Sequence, residues 1–148
     1  MIHLYFDTAV VPLDDAGQLT ITRLNCNVTF RRQDGTWSRL HVAIIDSGAH
    51  TSVLPEKIWR EAERDIIAEY ELKGINPRPE CSIPALVGKV MCMLHDDYGH
   101  SSDDLLISAI LAQSNEVPII LGFADLLTEF EVTFNYRAGR AYLSPMEV

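Results

Sequence analysis

The sequence predicts an all-β fold with one inserted amphipathic helix and one short C-terminal helix, and three stretches carry that prediction. Leu24, Cys26, Val28 and Phe30 alternate with Asn25, Asn27 and Thr29, and Phe130, Val132, Phe134 and Tyr136 alternate with Glu131, Thr133 and Asn135. A period of two marks a strand with one wet face. The third stretch, Val117-Pro118-Ile119-Ile120-Leu121, is apolar at every position, as a strand covered on both faces requires.

Ile2 to Val11 reads as a first strand, and Asp14-Asp15-Ala16-Gly17 as the turn of a hairpin. Leu19 and Ile21 share one parity while Leu24 to Phe30 take the other, so a bulge or bend is expected near Thr22 and Arg23. Gln33-Asp34-Gly35 turns the chain into a strand from Trp37 to Ile45. Pro55 suits the first position of a helix over Glu56 to Lys73, with Ile58, Ala62, Ile66 and Tyr70 on one face and Gly74 as its stop. Asn76-Pro77-Arg78-Pro79-Glu80 must be a loop, and Val87 to Leu94 resumes extended character. His95 to Asp104 reads as a flexible hydrated loop, because its histidines and aspartates form no ligand motif on regular structure. Leu105 to Leu111 is a strand, Ser114-Asn115-Glu116 a turn and Phe123 to Thr128 the short helix. Ala138-Gly139 turns the last hairpin into Ala141-Tyr142-Leu143.

Size and composition narrow the functional classes. A chain of 148 residues suits one domain, 1–148, with room for a sizeable core. Apolar residues at 47% and charged residues at 22% exclude a disordered composition. A formal net charge of −9 disfavours nucleic acid or an anionic membrane as partner. Cys26, Cys81 and Cys92 are odd in number and lack Cys-x-x-Cys spacing, which points to free, partly buried thiols in a reducing compartment rather than a disulfide framework or a zinc site. Met1 to Asp7 lacks the basic start and long apolar stretch of a secretory signal, and no window approaches the roughly 18 apolar residues of a membrane span. A cytoplasmic protein with no cofactor and no metal is the expectation.

One carboxylate stands apart from this pattern. Ala43-Ile44-Ile45 delivers Asp46 to the mouth of a buried strand, where Ser47 and Gly48 supply a hydroxyl and a permissive backbone for a tight turn. Taken alone, Asp-Ser-Gly is an ordinary turn. Two blocks together say more: Ile44 to Pro55, with its apolar return through Thr51, Val53 and Leu54, and Val117 to Gly122 followed by Ala124-Asp125-Leu126-Leu127. In this order and at this separation they resemble the retropepsin-like aspartic proteases, the single-domain relatives of pepsin, from about Leu19 to Leu143.

That resemblance implies an aspartic endopeptidase acting on a peptide or protein substrate, with Asp46, Ser47 and Gly48 as the catalytic turn. It implies a homodimer, because two carboxylates sharing a proton need a second copy of the single Asp-Ser-Gly. Ser47 is then expected to bond across the twofold axis, and Ala49 and His50 to line the cleft. Ile120, Leu121 and Gly122 are expected to support the acid loop from behind. Ser82 to Lys89 falls where the family carries its flap, so Leu86, Val87 and Gly88 join the substrate-binding set. Ile2 to Phe6 and Ala141 to Leu143 are the strands expected to interleave between copies. The chain departs from retroviral members at His50, which replaces Asp, Asn or Gln; at Phe123, which replaces an Arg; and in the single glycine of its flap. The histidine bears on subsite preference or pH dependence; the missing arginine and sparse flap glycine favour a competing reading, a catalytically weak or inactive protease-like fold serving as a peptide-binding or dimerisation module, whereas the intact Asp46-Ser47-Gly48-Ala49 favours the enzyme. A metal hydrolase built on His95, His100 and the nearby aspartates is a third reading, which unchanged activity in chelator eliminates.

Overall fold

The computed structural model describes residues 1–72 and 83–146. Its elements run β1 (Ile2–His3), β2 (Tyr5–Leu13), β3 (Gly17–Phe30), β4 (His41–Ile45), β5 (Ser52–Leu54), the one-turn helix α1 (Glu56–Trp59), β6 (Arg64–Leu72), β7 (Ile83–His95) and β8 (Leu105–Ala112). β9 (Ile120–Leu121), a 3-10 turn at Leu127–Glu129, β10 (Phe130–Asn135) and β11 (Arg140–Pro145) complete the chain. The architecture is all-β, as the alternation predicts. No helix among the described residues is long and apolar enough to cross a membrane.

The larger sheet has the order β2-β3-β4-β9-β5-β8-β7-β6, and a further β3–β7 pairing closes it. β3 makes the closure by changing partners along one edge. Gly17 to Asn25 pair with β2, whereas Asn27 to Phe30 pair with His95 to Cys92 of β7. Its other edge holds β4 through Leu24 to Val28. Six strands thus form a ring, and β2 and β6 lie outside it as edge strands.

The parity change near Thr22 has its explanation in that change of partner. No bulge interrupts the β2–β3 register; residues before Leu24 form a largely exposed hairpin with β2, and those from Leu24 onward turn Cys26, Val28 and Phe30 into the core. The core also takes Ala43 and Ile45 from β4, Leu54 from β5, Val90, Cys92 and Leu94 from β7, and Ile107, Ala109 and Leu111 from β8. These positions lie two apart along each strand, one face of the pleat.

The helix expected over Glu56 to Lys73 ends at Trp59, and β6 takes its place. Residues 58, 62, 66 and 70 are four apart, a spacing that lies on one helix face and equally on one strand face, so periodicity alone could not separate the two. Side-chain bonds to the backbone decide the matter. Trp59 is buried and its Nε1–H donates to Ala112 O (2.7 Å), while Arg64 Nη1 donates to Arg60 O (2.9 Å), taking the carbonyl that a continuing helix would reserve for the Arg64 amide. Ala62 then bridges to Arg32, and β6 pairs with β7 as an edge strand that leaves Ile66 and Ile67 exposed.

Smaller differences have local causes. The strand expected from Trp37 begins only at His41, Trp37 making a single bridge to Arg31. The apolar run from Val117 contributes strand pairing only at Ile120 and Leu121, since Pro118 is exposed and has no N–H to give. The short helix expected over Phe123 to Thr128 is a turn followed by the 3-10 turn. Gly74, the loop Asn76 to Glu80, Cys81 and Ser82 lie outside the described residues.

A second sheet, ordered β1-β11-β10, packs Ile2, Ala141 and Leu143 onto the core. Here β1 pairs with the same chain's β11, through Ile2 with Leu143 and His3 with Tyr142. The edges of this sheet are β1, whose His3 N–H goes to Asp96, and β10.

Candidate active site

Asp46 follows the last residue of β4, and its position is set by the backbone on both sides. Ile44 and Ile45 pair in parallel with Ile120 and Leu121, and the Asp46 N–H continues that ladder to Leu121 O (3.0 Å). The Ala49 N–H returns to Asp46 O (3.2 Å), closing the turn. Inside the turn the Gly48 N–H donates to Asp46 Oδ1 (2.8 Å), so the loop itself holds the carboxylate. A β-carbon at Gly48 would stand 3.2 Å from that same oxygen.

The segment after β9 clasps the loop from behind. Phe123 N–H donates to Ala49 O and Ala124 N–H to His50 O, both at 3.0 Å, and Gly122 N–H donates to the buried Ser52 Oγ (3.0 Å). Gly122 must be glycine for this contact, because a β-carbon would meet Ala49 O at 2.7 Å and the Thr51 carbonyl group at 2.9 Å. Ile120, Leu121 and Gly122 therefore lie against the acid loop. Asp125 adds a brace that the sequence reading passed over. Held at φ 61°, it accepts from Ser108 N–H (2.9 Å) and Ser108 Oγ–H (2.7 Å), tying the turn after Gly122 to β8. Those two bonds hold the Asp125 carboxyl below its ordinary value, the hydroxyl contributing most.

In front of the loop, Asp46 and Ser47 open on a groove of about 530 Å³ whose other walls are Phe6, Leu24, Val132, Phe134 and Tyr136, with Arg23 at its side. Phe6 and Tyr136 meet edge to face at 5.1 Å, and Phe134 is 65% exposed, a large apolar side chain beside an ionisable one. The carboxylate of Asp46 is half-buried and takes part in none of the ion pairs among the described residues. Sequence reasoning missed three neighbours, Ser52, Arg23 and Asp125. A serine inside an apolar strand was the available signal for Ser52; nothing local marks the other two.

The structure does not bring all the expected residues together. Asp46, Ser47, Gly48, Ala49 and His50 form one loop, Ser47 and His50 being exposed. Leu86, Val87 and Gly88 lie in β7, where they pair with Leu111, Ile110 and Ala109 of β8, and they do not line the groove at Asp46. Gly88 fills a packing role: a β-carbon there would meet Asp65 O at 2.8 Å and Leu111 Cδ1 at 2.9 Å, opposite the irregularity between Ile66 and Ala68. β7 pairs antiparallel with β6, and residues 73–82 between the two strands lie outside the described residues. His95 is likewise occupied, Nε2 bonding Thr29 Oγ1 (2.8 Å) and Nδ1 bonding Ser101 Oγ (2.9 Å).

No protein-family model matches this sequence, and no curated protein matches it. Among solved structures the chain is similar to a retropepsin-like aspartic protease from Rickettsia conorii, at 11% sequence identity and a TM-score of 0.47, over 97% of this chain and 96% of that one.

Proposed function

We propose that this chain is one half of a homodimeric, retropepsin-like aspartic endopeptidase whose two Asp46 carboxyl groups activate water against a peptide carbonyl. The observation that carries the reading is a half-buried aspartate with no ion-pair partner among the described residues, its carboxylate pinned by the Gly48 N–H on a loop clasped at Gly122, and facing an apolar groove. Two such carboxyls within hydrogen-bond reach resist double ionisation and share one proton. The ionised member takes a proton from water as its oxygen attacks the carbonyl carbon, while the protonated member gives its proton to the carbonyl oxygen. A neutral diol results. Proton return to the amide nitrogen then breaks the C–N bond and releases acid and amine.

The apolar groove wall supports a dimer on this side of the molecule. Phe134 and Tyr136 are large, exposed and next to the acid, and β10 offers an unpaired edge in the same sheet. Two β10 edges meeting across a twofold axis would join the small sheets of both copies while each β1 stays in its own chain.

The test is cleavage of a mixed peptide library at pH 4 to 7 by the wild-type chain and by Asp46→Asn, with the mass of each measured by sedimentation. Cleavage by a wild-type dimer, and none by an Asp46→Asn dimer, is the expected result. Cleavage by Asp46→Asn at the parent rate sinks the assignment, and a dimer that binds peptides without cutting them makes the fold a binding module.

A further inference from the structure

We propose that His3, Asp96 and His100 form a binding site for a divalent transition ion of the zinc class, which fastens the first strand to the turn after β7. The sequence points to His95 and His100 as its nearest pair of imidazoles, but His95 is consumed by Thr29 and Ser101. The fold supplies a different partner, His3, 93 residues before Asp96.

The ligand atoms of the three side chains lie within 4.8 Å of one another. Zinc bonds to nitrogen and carboxylate oxygen of about 2.0 to 2.2 Å hold tetrahedral ligands about 3.4 Å apart, so around an ångström of side-chain movement closes the site. Two imidazoles with one carboxylate are a donor set suited to such an ion, and water completes the coordination.

The site is built around a fixed anion. The Asp96 side chain is only 1% exposed, and three backbone donors hold it whatever its neighbours do: Tyr98 N–H and His100 N–H at Oδ1 (both 2.9 Å) and His3 N–H at Oδ2 (3.0 Å). The turn that presents His100 is closed by Asp96 N–H to His100 O (3.1 Å) and Ser102 N–H to Leu94 O (2.9 Å), which corrects the expectation of a loop without organised ligands. His3 leans over the same turn, its ring centroid 4.7 Å from Tyr98 and 5.7 Å from His100.

Binding exchanges one hydrogen bond for metal bonds. His100 Nδ1 stands 2.8 Å from Asp96 Oδ2; the ion enters between them, and in the neutral imidazole the proton moves from Nδ1 to Nε2 on a half-exposed ring that meets water. The His3 imidazole supplies the third bond. Asp97 lines the adjoining cavity of about 640 Å³ with His3 and Asp96, adding negative charge along the approach.

The experiment uses the full, untagged chain, freed of metal by chelator and returned to chelator-free buffer, then titrated with Zn2+ by calorimetry. One ion per chain and a raised melting temperature are expected. His3→Ala and His100→Ala each weaken binding by tenfold or more, and the double variant abolishes it, while Asp97→Asn binds within a few-fold of wild type. Absence of saturable binding to the wild-type chain overturns the proposal, as does unchanged affinity in the double variant. Co2+ bound to the wild-type chain serves as a probe that needs no variant: tetrahedral d–d bands without a thiolate charge-transfer band are expected, and a thiolate band places the ion at cysteine and overturns the site.

Discussion

Asp46 shows how little of its environment comes from its own neighbours in sequence. Its turn is local, closed by the Gly48 and Ala49 amides, but the clasp comes from Gly122 to Ala124. Gly122→Ala forces a β-carbon onto backbone atoms that cannot rotate away, and overpacking of this kind costs about 1–3 kcal/mol. Denaturant melts that show Gly122→Ala as stable as the parent would refute the clasp. The thiols are a second case. Burial pushes both Cys26 and Cys92 up to about 12, well above the unfolded value near 8.5. Their protonated forms contribute stability that is fully present below the unfolded value and is lost as pH rises toward 12. Mass mapping after iodoacetamide at pH 8 should find residues 26 and 92 unmodified in the folded chain and alkylated in denaturant.

Among elements, the contrast between α1 and β6 is the most instructive. An apolar spacing of four fits either geometry, and the strand-favouring Ile66, Ile67 and Tyr70 compete with good helix formers such as Glu63 and Ala68. The outcome is settled by β7, which offers β6 a long antiparallel edge, and by Arg64 capping the helix end with its side chain. The Asp125 brace carries a pH signature at this same scale. Its carboxyl is held low in the folded chain, so the bond to Ser108 stabilises above the unfolded carboxylate value near 3.9 and is lost as pH falls through that region and below. Asp125→Asn should cost under about 1 kcal/mol at pH 7, given the exposure of the carboxylate, and the difference from wild type should shrink as pH falls below the unfolded carboxylate value. Melting curves across that range read the effect directly; a difference that grows on acidification contradicts it.

At the scale of the whole molecule, the proposed chemistry needs two copies of Asp46, which makes activity a function of assembly. Mixing equal amounts of wild-type and Asp46→Asn chains and allowing exchange leaves about a quarter of the dimers with two acids, if subunits pair at random. The rate should follow the square of the wild-type fraction, whereas a rate proportional to that fraction shows that single chains cleave.

What the linear chain determined on its own was its class of structure and the turn that holds Asp46. Strand alternation repeats every two residues and so writes itself into adjacent letters, and the Asp46-Ser47-Gly48 turn is closed by bonds spanning two or three positions. What the tertiary structure alone decided is everything that depends on which strands become neighbours. The change of partner along β3, the Gly122 clasp, the strand at Arg64 to Leu72 and the meeting of His3 with Asp96 each join segments separated by tens of residues. Side-chain patterns record which face of a strand is dry, but the hydrogen bonds that choose its neighbour come from backbone groups common to every residue except proline, and so leave few letters to read.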